Sequence, residues 1–418
     1  MMNTHRQSSM LFRICCIALT VTAMTFAIRA GILTQLSSEF SLSDNQLGWV
    51  NAMAFFGFPV ATLFGGLVYN SLGAKKLLII AFSCHLLGLL LTLSAEGFYG
   101  LLISTFFIGF ANGAVEAGCN PLIAAAYPDK KTIMLNRFHV WFPGGIVIGA
   151  LSSQLLTQLG FGWQTQIAIM LVPTLIYGIL TFRQIFPPIP QQQISTRRNV
   201  SALISPLFIF MAVCMTLTAT TELGTQQWIE RILGASGASP MLIMALITGI
   251  MALGRYFSAF LVNTLNPVGL LLGSAIVASL GIYSMSWATG GFVYVAAILF
   301  ALGVTYFWPT MLGFVAEQMP QTGALGLAVM GGIGMFGVSI WNPIIGSWID
   351  TARESASQLS SNPELAAGQS VLASLSIFPV ILIVAFSVLL LYMRKHNAKK
   401  ALPAGNEPQT NHGEDYAA

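Results

Sequence analysis

The chain has 418 residues, 55% hydrophobic and 8% charged, with mean hydropathy +0.76 and a formal charge of +4. A soluble domain needs about 25% charged residues to cover its surface, so this composition excludes a water-soluble globular protein. Lipid removes that need because it solvates an apolar exterior, and no basic stripe with interleaved aromatics speaks for nucleic-acid binding.

From the first residues onward, apolar runs of spanning length recur with short polar breaks. The run after Arg13 is too long for the apolar core of a signal peptide and lacks a small-x-small cleavage site, so it reads as a first membrane helix. Twelve helices are expected, over 11–36, 46–69, 77–95, 98–127, 137–159, 163–186, 204–232, 239–263, 267–288, 291–317, 322–349 and 367–393. With the N-terminus inside, the inner breaks carry Lys75, Lys76, Lys130, Lys131, Arg197 and Arg198, joined by Arg6, Arg13, Arg394, Lys395, Lys399 and Lys400. The outer breaks carry Glu39, Asp44, Glu96, Glu230, Asp350, Glu354 and Glu364, with only Arg231 and Arg353 basic. The positive-inside rule then puts both termini in the cytoplasm of a cell inner membrane.

Taken in order, the ionisable groups at membrane depth are Arg29, His85, Glu116, His139, Glu222 and Arg255. Such groups are costly in lipid and are functional candidates by default. Arg29 on the first helix and Glu222 on the seventh lie slightly outward of centre. They read as an outer gate ion pair, as a solute clamp with Arg29 holding a carboxylate, or as a permanent structural pair. His85 on the third helix reads as structural. Glu116 on the fourth sits in ANGAVEAGCNPLIAA with Asn120 four residues on, which puts both side chains on one helix face. A carboxyl in a partly dry cavity can cycle protons near neutral pH, so Glu116 is the candidate proton-coupling and solute-binding residue. His139, in LNRFHVWFPGG at the inner start of the fifth helix, is a proton relay, a solute ligand or a satisfied structural histidine.

The longest central break, PPIPQQQISTRRN at 187–199, is Pro- and Gln-rich and reads as a linker. It divides an N-terminal six-helix bundle (1–186) from a C-terminal one (204–394), with a cytoplasmic linker at 187–203 and a disordered cytoplasmic tail at 395–418. The halves resemble each other: LTVTAMTF at 19–26 and MTLTATTE at 215–222, Asn120-Pro121 and Trp308-Pro309, GGIVIG at 144–149 and GGIGMFG at 331–337. Two parallel repeats about a central site form a transporter architecture. The glycines of the last pair suit close helix packing, or surfaces that slide.

In the second half, Gln226, Gln227 and Trp228 follow Glu222. Tyr306, Trp308, Trp341 and Asn342 lie on the tenth and eleventh helices. Amides suit hydroxyl-rich solutes and indoles offer a flat face to a ring, while interfacial anchoring is the other reading of the aromatics. Arg255, in LGRYF, reads as structural or gating. The five cysteines, Cys15, Cys16, Cys84, Cys119 and Cys214, show neither metal-ligand nor disulfide-framework spacing. There is no P-loop, HExxH, CxxC or GxSxG, so neither an enzyme nor an ATP-driven pump is expected, and no cofactor or metal.

These residues resemble those of major facilitator superfamily transporters, over 11–394. Within that superfamily the chain is most similar to the fucose/galactose/glucose–proton symporters. Glu116-Ala-Gly-Cys-Asn120-Pro121, Leu135-Asn136-Arg137-Phe138-His139 and LSDNQLGWV at 42–50 carry the resemblance. It implies an all-α polytopic membrane protein of twelve helices in two pseudo-symmetric bundles, working as a monomer by alternating access. It also implies that Glu116 takes part in sugar recognition and proton coupling, with Asn120 beside it. The chain departs from the group at Arg29, where the symporters have an acid. That favours a sugar acid or another carboxylate, unless Glu222 neutralises Arg29. In GLVYNSLGAKK at 66–76, Asn70 and Ala74 replace the usual acid and Arg. The expectation is proton-coupled uptake of a sugar or sugar-derived acid. Efflux of amphipathic compounds, sodium-coupled uptake, and a receptor without flux are the alternatives.

Overall fold

The computed structural model describes residues 2–127, 131–187, 201–257 and 266–401. Among them there is no strand. Eleven helices are long and apolar enough to cross a membrane, and a twelfth is shorter. In chain order they are α1 (Gln7–Gly31), α2 (Asp44–Tyr69), α3 (Ser71–Leu93), α4 (Phe98–Ala126), α5 (Arg137–Gln158) and α6 (Trp163–Arg183). The second half holds α7 (Pro206–Gln227), α8 (Pro240–Tyr256), α9 (Pro267–Met285), α10 (Gly291–Gln318), α11 (Leu325–Ser357) and α12 (Pro363–Lys395). An even number of spans puts both chain ends at one face, called the near face below; the opposite one is the far face.

Local chemistry sets the helix ends. Ser43 closes a capping box with Gln46 at the start of α2. Ser205, Ser239, Asn266 and Asn362 each precede a proline at the first helical position of α7, α8, α9 and α12. Gly73, at φ 71°, breaks the helical path just after α3 begins, a conformation that side chains with a Cβ rarely adopt.

The expected spans hold with shifted ends. The first does not run to 36: it stops at Gly31, and a separate short helix, Leu33–Phe40, follows. The seventh does not run evenly to 232, because a π-helical turn occupies Thr220–Gly224 and the helix breaks at Trp228. The eighth ends at Tyr256, and residues 258–265 lie outside the described residues. So do 188–200 of the expected linker and 402–418 of the expected tail, while the last helix continues to Ala401.

Apolar packing forms three clusters: one in the first half, a large one in the second half that reaches the far ends of the first, and one between the halves. Within the first half, a Cβ at Gly145 of α5 would meet Ala23 of α1 at 2.7 Å, and one at Gly149 would meet Ala27 at 2.9 Å. These two glycines let α1 and α5 pack backbone to backbone. Between the halves, Gly48 of α2 lies against Asn342 and Pro343 of α11, and Gly346 lies against the Asp44 backbone. Ser239 donates across the same gap to Gln154 at 2.6 Å. Hydrogen bonds that join the halves cluster toward the far face, so the far end of the bundle is closed.

Candidate functional site between the two halves

The polar groups of the interior form successive levels along the bundle axis. Nearest the near face is Glu116 on α4. Its Oε2 accepts from Asn120 Nδ2 at 2.7 Å, as one-turn spacing on a helix requires. Its Oε1 lies 3.9 Å from Nδ1 of His139, in the first turn of α5. The Glu116 side chain is 15% exposed and that of His139 46%, so the carboxylate is shielded yet reachable through a titratable neighbour. Three sequence-predicted residues therefore meet at one point.

Behind this group lies a fully buried chain of hydrogen bonds. His85 Nδ1 is 2.8 Å from the Tyr177 hydroxyl, and Nε2 is 2.8 Å from Asn112 Oδ1. Asn112 Nδ2 donates to Thr25 Oγ1 at 3.0 Å, and Thr25 donates to the Thr22 carbonyl at 2.6 Å. With Asn112 oriented this way, Nε2 of His85 is the donor to Asn112 Oδ1. The chain ties α3, α4, α6 and α1 together, the structural role expected of His85.

In the second half, Glu222 sits on the π-helical turn of α7. Its Oε1 accepts from Arg255 of α8 at 3.2 Å. Arg255 Nε also donates to the Thr305 carbonyl at 3.0 Å. Pro309 has no N–H to engage that carbonyl, which leaves it free for the guanidinium. Tyr306 donates to the Gly254 carbonyl at 3.1 Å, closing the contact between α8 and α10. Trp308 lies along Gly331 and Gly334 of α11.

An aromatic plug fills the middle. Phe26 packs against Phe55 at 5.2 Å and Phe142 at 5.8 Å between ring centres. Phe58, Ala219, Leu223, Met335 and Val338 join them, with Trp308 at the edge. The plug brings α1, α2, α5, α7, α10 and α11 together.

On the far side of the plug lies Arg29, buried. Its Nε donates to Asn51 Oδ1 at 2.9 Å and to Gln227 Oε1 at 3.0 Å, and a terminal nitrogen donates to the same Gln227 oxygen at 2.5 Å. Gln227 Nε2 donates to the Phe26 carbonyl at 2.9 Å. The expected Arg29–Glu222 ion pair is therefore corrected: Glu222 bonds to Arg255 and Arg29 to two amides. Glu222 faces α8, and it is Gln227, five positions on, that faces Arg29. Gln226 turns to Met251 of α8 instead, at 3.7 Å from its sulfur. Trp228 is fully buried in the core. Asn342 donates to the Val338 carbonyl of its own helix at 2.8 Å, and Trp341 packs on Trp348 and Phe378. These four do not join Arg29.

The outermost level is a charge network that the sequence reading missed. Asp44, fully buried, accepts from Arg231 at 2.7 and 2.9 Å and also bonds to Arg353. Asp350 caps the start of α2, accepting from the backbone N–H of Asp44 at 2.9 Å and of Asn45 at 2.8 Å. Glu230 accepts from the Thr34 backbone at 3.1 Å and its hydroxyl at 2.6 Å. Burial raises the Glu230 carboxyl above its ordinary value, while the Thr34 bonds and Arg231 pull it down. The signal was present: Arg231 and Arg353 are the two bases of the outer breaks, and both reach one acid across the halves.

No group of three or more His, Cys, Asp or Glu side chains suited to a metal occurs among the described residues.

Over residues 15–342 the chain matches the family model described as Major Facilitator Superfamily. It is 23% identical over 342 residues to a candidate niacin/nicotinamide transporter of Bacillus subtilis, covering 77% of this chain and 84% of that protein. It is 24% identical over 173 residues to a hexuronate transporter of the same species, covering 41% of this chain and 40% of the relative. The crystal structure of a D-xylose–proton symporter superposes with TM-score 0.74 at 13% identity, over 90% of this chain and 97% of that one. The twelve-helix fold, the polar groups strung along its axis and the family match lead to one conclusion: the chain is a multi-pass membrane transporter and belongs to the Major Facilitator Superfamily.

Proposed function

We propose that this transporter takes up a sugar or sugar-derived acid together with a proton, by alternating access. The near face is then cytoplasmic, since the basic breaks lie there. The halves at 1–186 and 204–394 move as two units about the central levels.

The observation that carries the reading is the Glu116–Asn120–His139 group. A carboxylate at membrane depth, held by an amide and faced by an imidazole, can hold a proton in one facing state and release it in the other. Asn120 keeps a buried carbonyl oxygen without a partner, which suits a solute hydroxyl. Tyr306 and Trp308 of α10, the latter at the edge of the aromatic plug, are the aromatic candidates for the solute wall. The Arg255–Glu222 pair fixes α7 to α8 and serves the second half as an internal brace. Similarity to a hexuronate transporter supports the acid side of the substrate class.

Replacing Glu116 by Gln tests the coupling. In proteoliposomes the variant is expected to lose uphill accumulation driven by a pH gradient while keeping solute exchange. Gradient-driven accumulation at the wild-type level would remove Glu116 from the coupling step.

A second reading is favoured by one contact. The Arg29 guanidinium lies 5.2 Å from the Phe26 ring centre and 5.6 Å from that of Phe55. A flat heteroaromatic acid would fit such a flank, and the similarity to the candidate niacin/nicotinamide transporter agrees.

A further inference from the structure

Arg29 is unexplained by proton coupling. It is buried, and no carboxylate lies within ion-pair distance of it among the described residues. Among the described residues its Nη1 has no partner, and neither has Nδ2 of Asn51. Both idle atoms are donors, and one belongs to a cation. A ligand that satisfies them must accept hydrogen bonds and carry negative charge.

Gln227 occupies the neighbouring edge of the same guanidinium. Its carbonyl oxygen takes both the Nε and a terminal nitrogen of Arg29. One edge of the guanidinium fork is therefore occupied, in the way one oxygen of a carboxylate would occupy it. Gln227 is neutral, so it supplies the hydrogen bonds without the charge. It also comes from the opposite half, and its amide nitrogen anchors on the Phe26 carbonyl. The Arg29–Gln227 contact thus joins the two halves at the closed far end.

We infer that Arg29, with Asn51, is the carboxylate subsite of the transport path, and that Gln227 is its built-in competitor. The substrate class is a small monocarboxylate. With the far face open, Gln227 is withdrawn and the solute carboxylate binds Arg29. On closure Gln227 takes the guanidinium edge back, and the solute leaves past the plug toward the near face. Charge-assisted bonds are stronger than neutral ones, so closure over a bound anion needs the other contacts between the halves as well. This inference rests on the transport reading above and narrows its substrate.

Counterflow exchange in proteoliposomes tests it without a pH gradient, which keeps it separate from coupling. The full-length protein is given D-glucuronate and D-gluconate against D-glucose, and nicotinate against nicotinamide. At least one acid is expected to exchange tenfold or more faster than its neutral partner. Gln227→Glu places a fixed carboxylate on Arg29 and should lower that exchange at least tenfold. Gln227→Ala removes the competitor and should retain exchange, with a severalfold lower half-saturation for the acid added outside. Exchange of glucose or nicotinamide as fast as the matching acid overturns the inference and leaves the transport reading standing. Preference for acids with Gln227→Glu unaffected overturns the competitor role. Exchange of none of the five compounds overturns the proposed substrate range and this inference with it.

Discussion

At the scale of single residues, buried polar groups divide into those fully satisfied and those left waiting. His85 belongs to the first kind: both ring nitrogens are engaged and no exposed surface remains. His85→Leu would leave the Tyr177 hydroxyl and Asn112 Oδ1 unpaired, each costing about 1–3 kcal/mol. The expected outcome is a lower melting temperature in detergent with unaltered substrate preference; unchanged melting would contradict the structural role. Arg29, Asn51, Glu222 and Asn120 belong to the second kind, each keeping an atom without a partner. Of these, Asn51 was not visible in the sequence, because a lone Asn in an apolar run gives no period or motif. Glu116 and Asn120 were visible because their contact lies within one helix and follows from spacing alone.

At the scale of elements, the spans were legible because length and hydropathy decide them. Their ends followed caps and prolines that hydropathy does not weigh. What the sequence concealed is register. Gln227, not Gln226, meets Arg29 beyond the π turn of α7, and nothing in TTELG announces that turn. The Pro309 break in α10 acts similarly, turning a helix carbonyl into the anchor of Arg255. Contacts between elements distant in the chain were also hidden, foremost Asp44 with Arg231 and Arg353. Asp44→Ala would take from Arg231 its carboxylate in a nearly dry contact, while Arg353 keeps Glu364, destabilising the closed far end by about 3–5 kcal/mol. In a background without native cysteines, a Gln154→Cys reporter should then react faster with a membrane-impermeant thiol reagent. An unchanged rate would show that Asp44 does not hold the far face.

At the scale of the molecule, the same network makes closure depend on pH. The Glu230 carboxyl is raised above its ordinary value in the closed far end and returns to that value when water reaches it. The closed state therefore binds this proton more tightly. Lowering pH through the raised value favours closure, and raising pH favours opening. Labelling of the same Gln154→Cys reporter should rise with pH, and Glu230→Gln should flatten that slope. A slope unchanged by Glu230→Gln would assign the dependence to another group. Acid from the far side thus favours the closed far end, the direction that proton-driven uptake requires.

The central claim is that solute and proton cross together. The most direct measurement is the external pH of a weakly buffered proteoliposome suspension, with no imposed gradient, on addition of an exchanged acid such as D-glucuronate as its salt. Coupled uptake predicts a sustained external alkalinisation that requires the protein and is lost in Glu116→Gln. Glucuronate entry with no change in external pH would contradict the account.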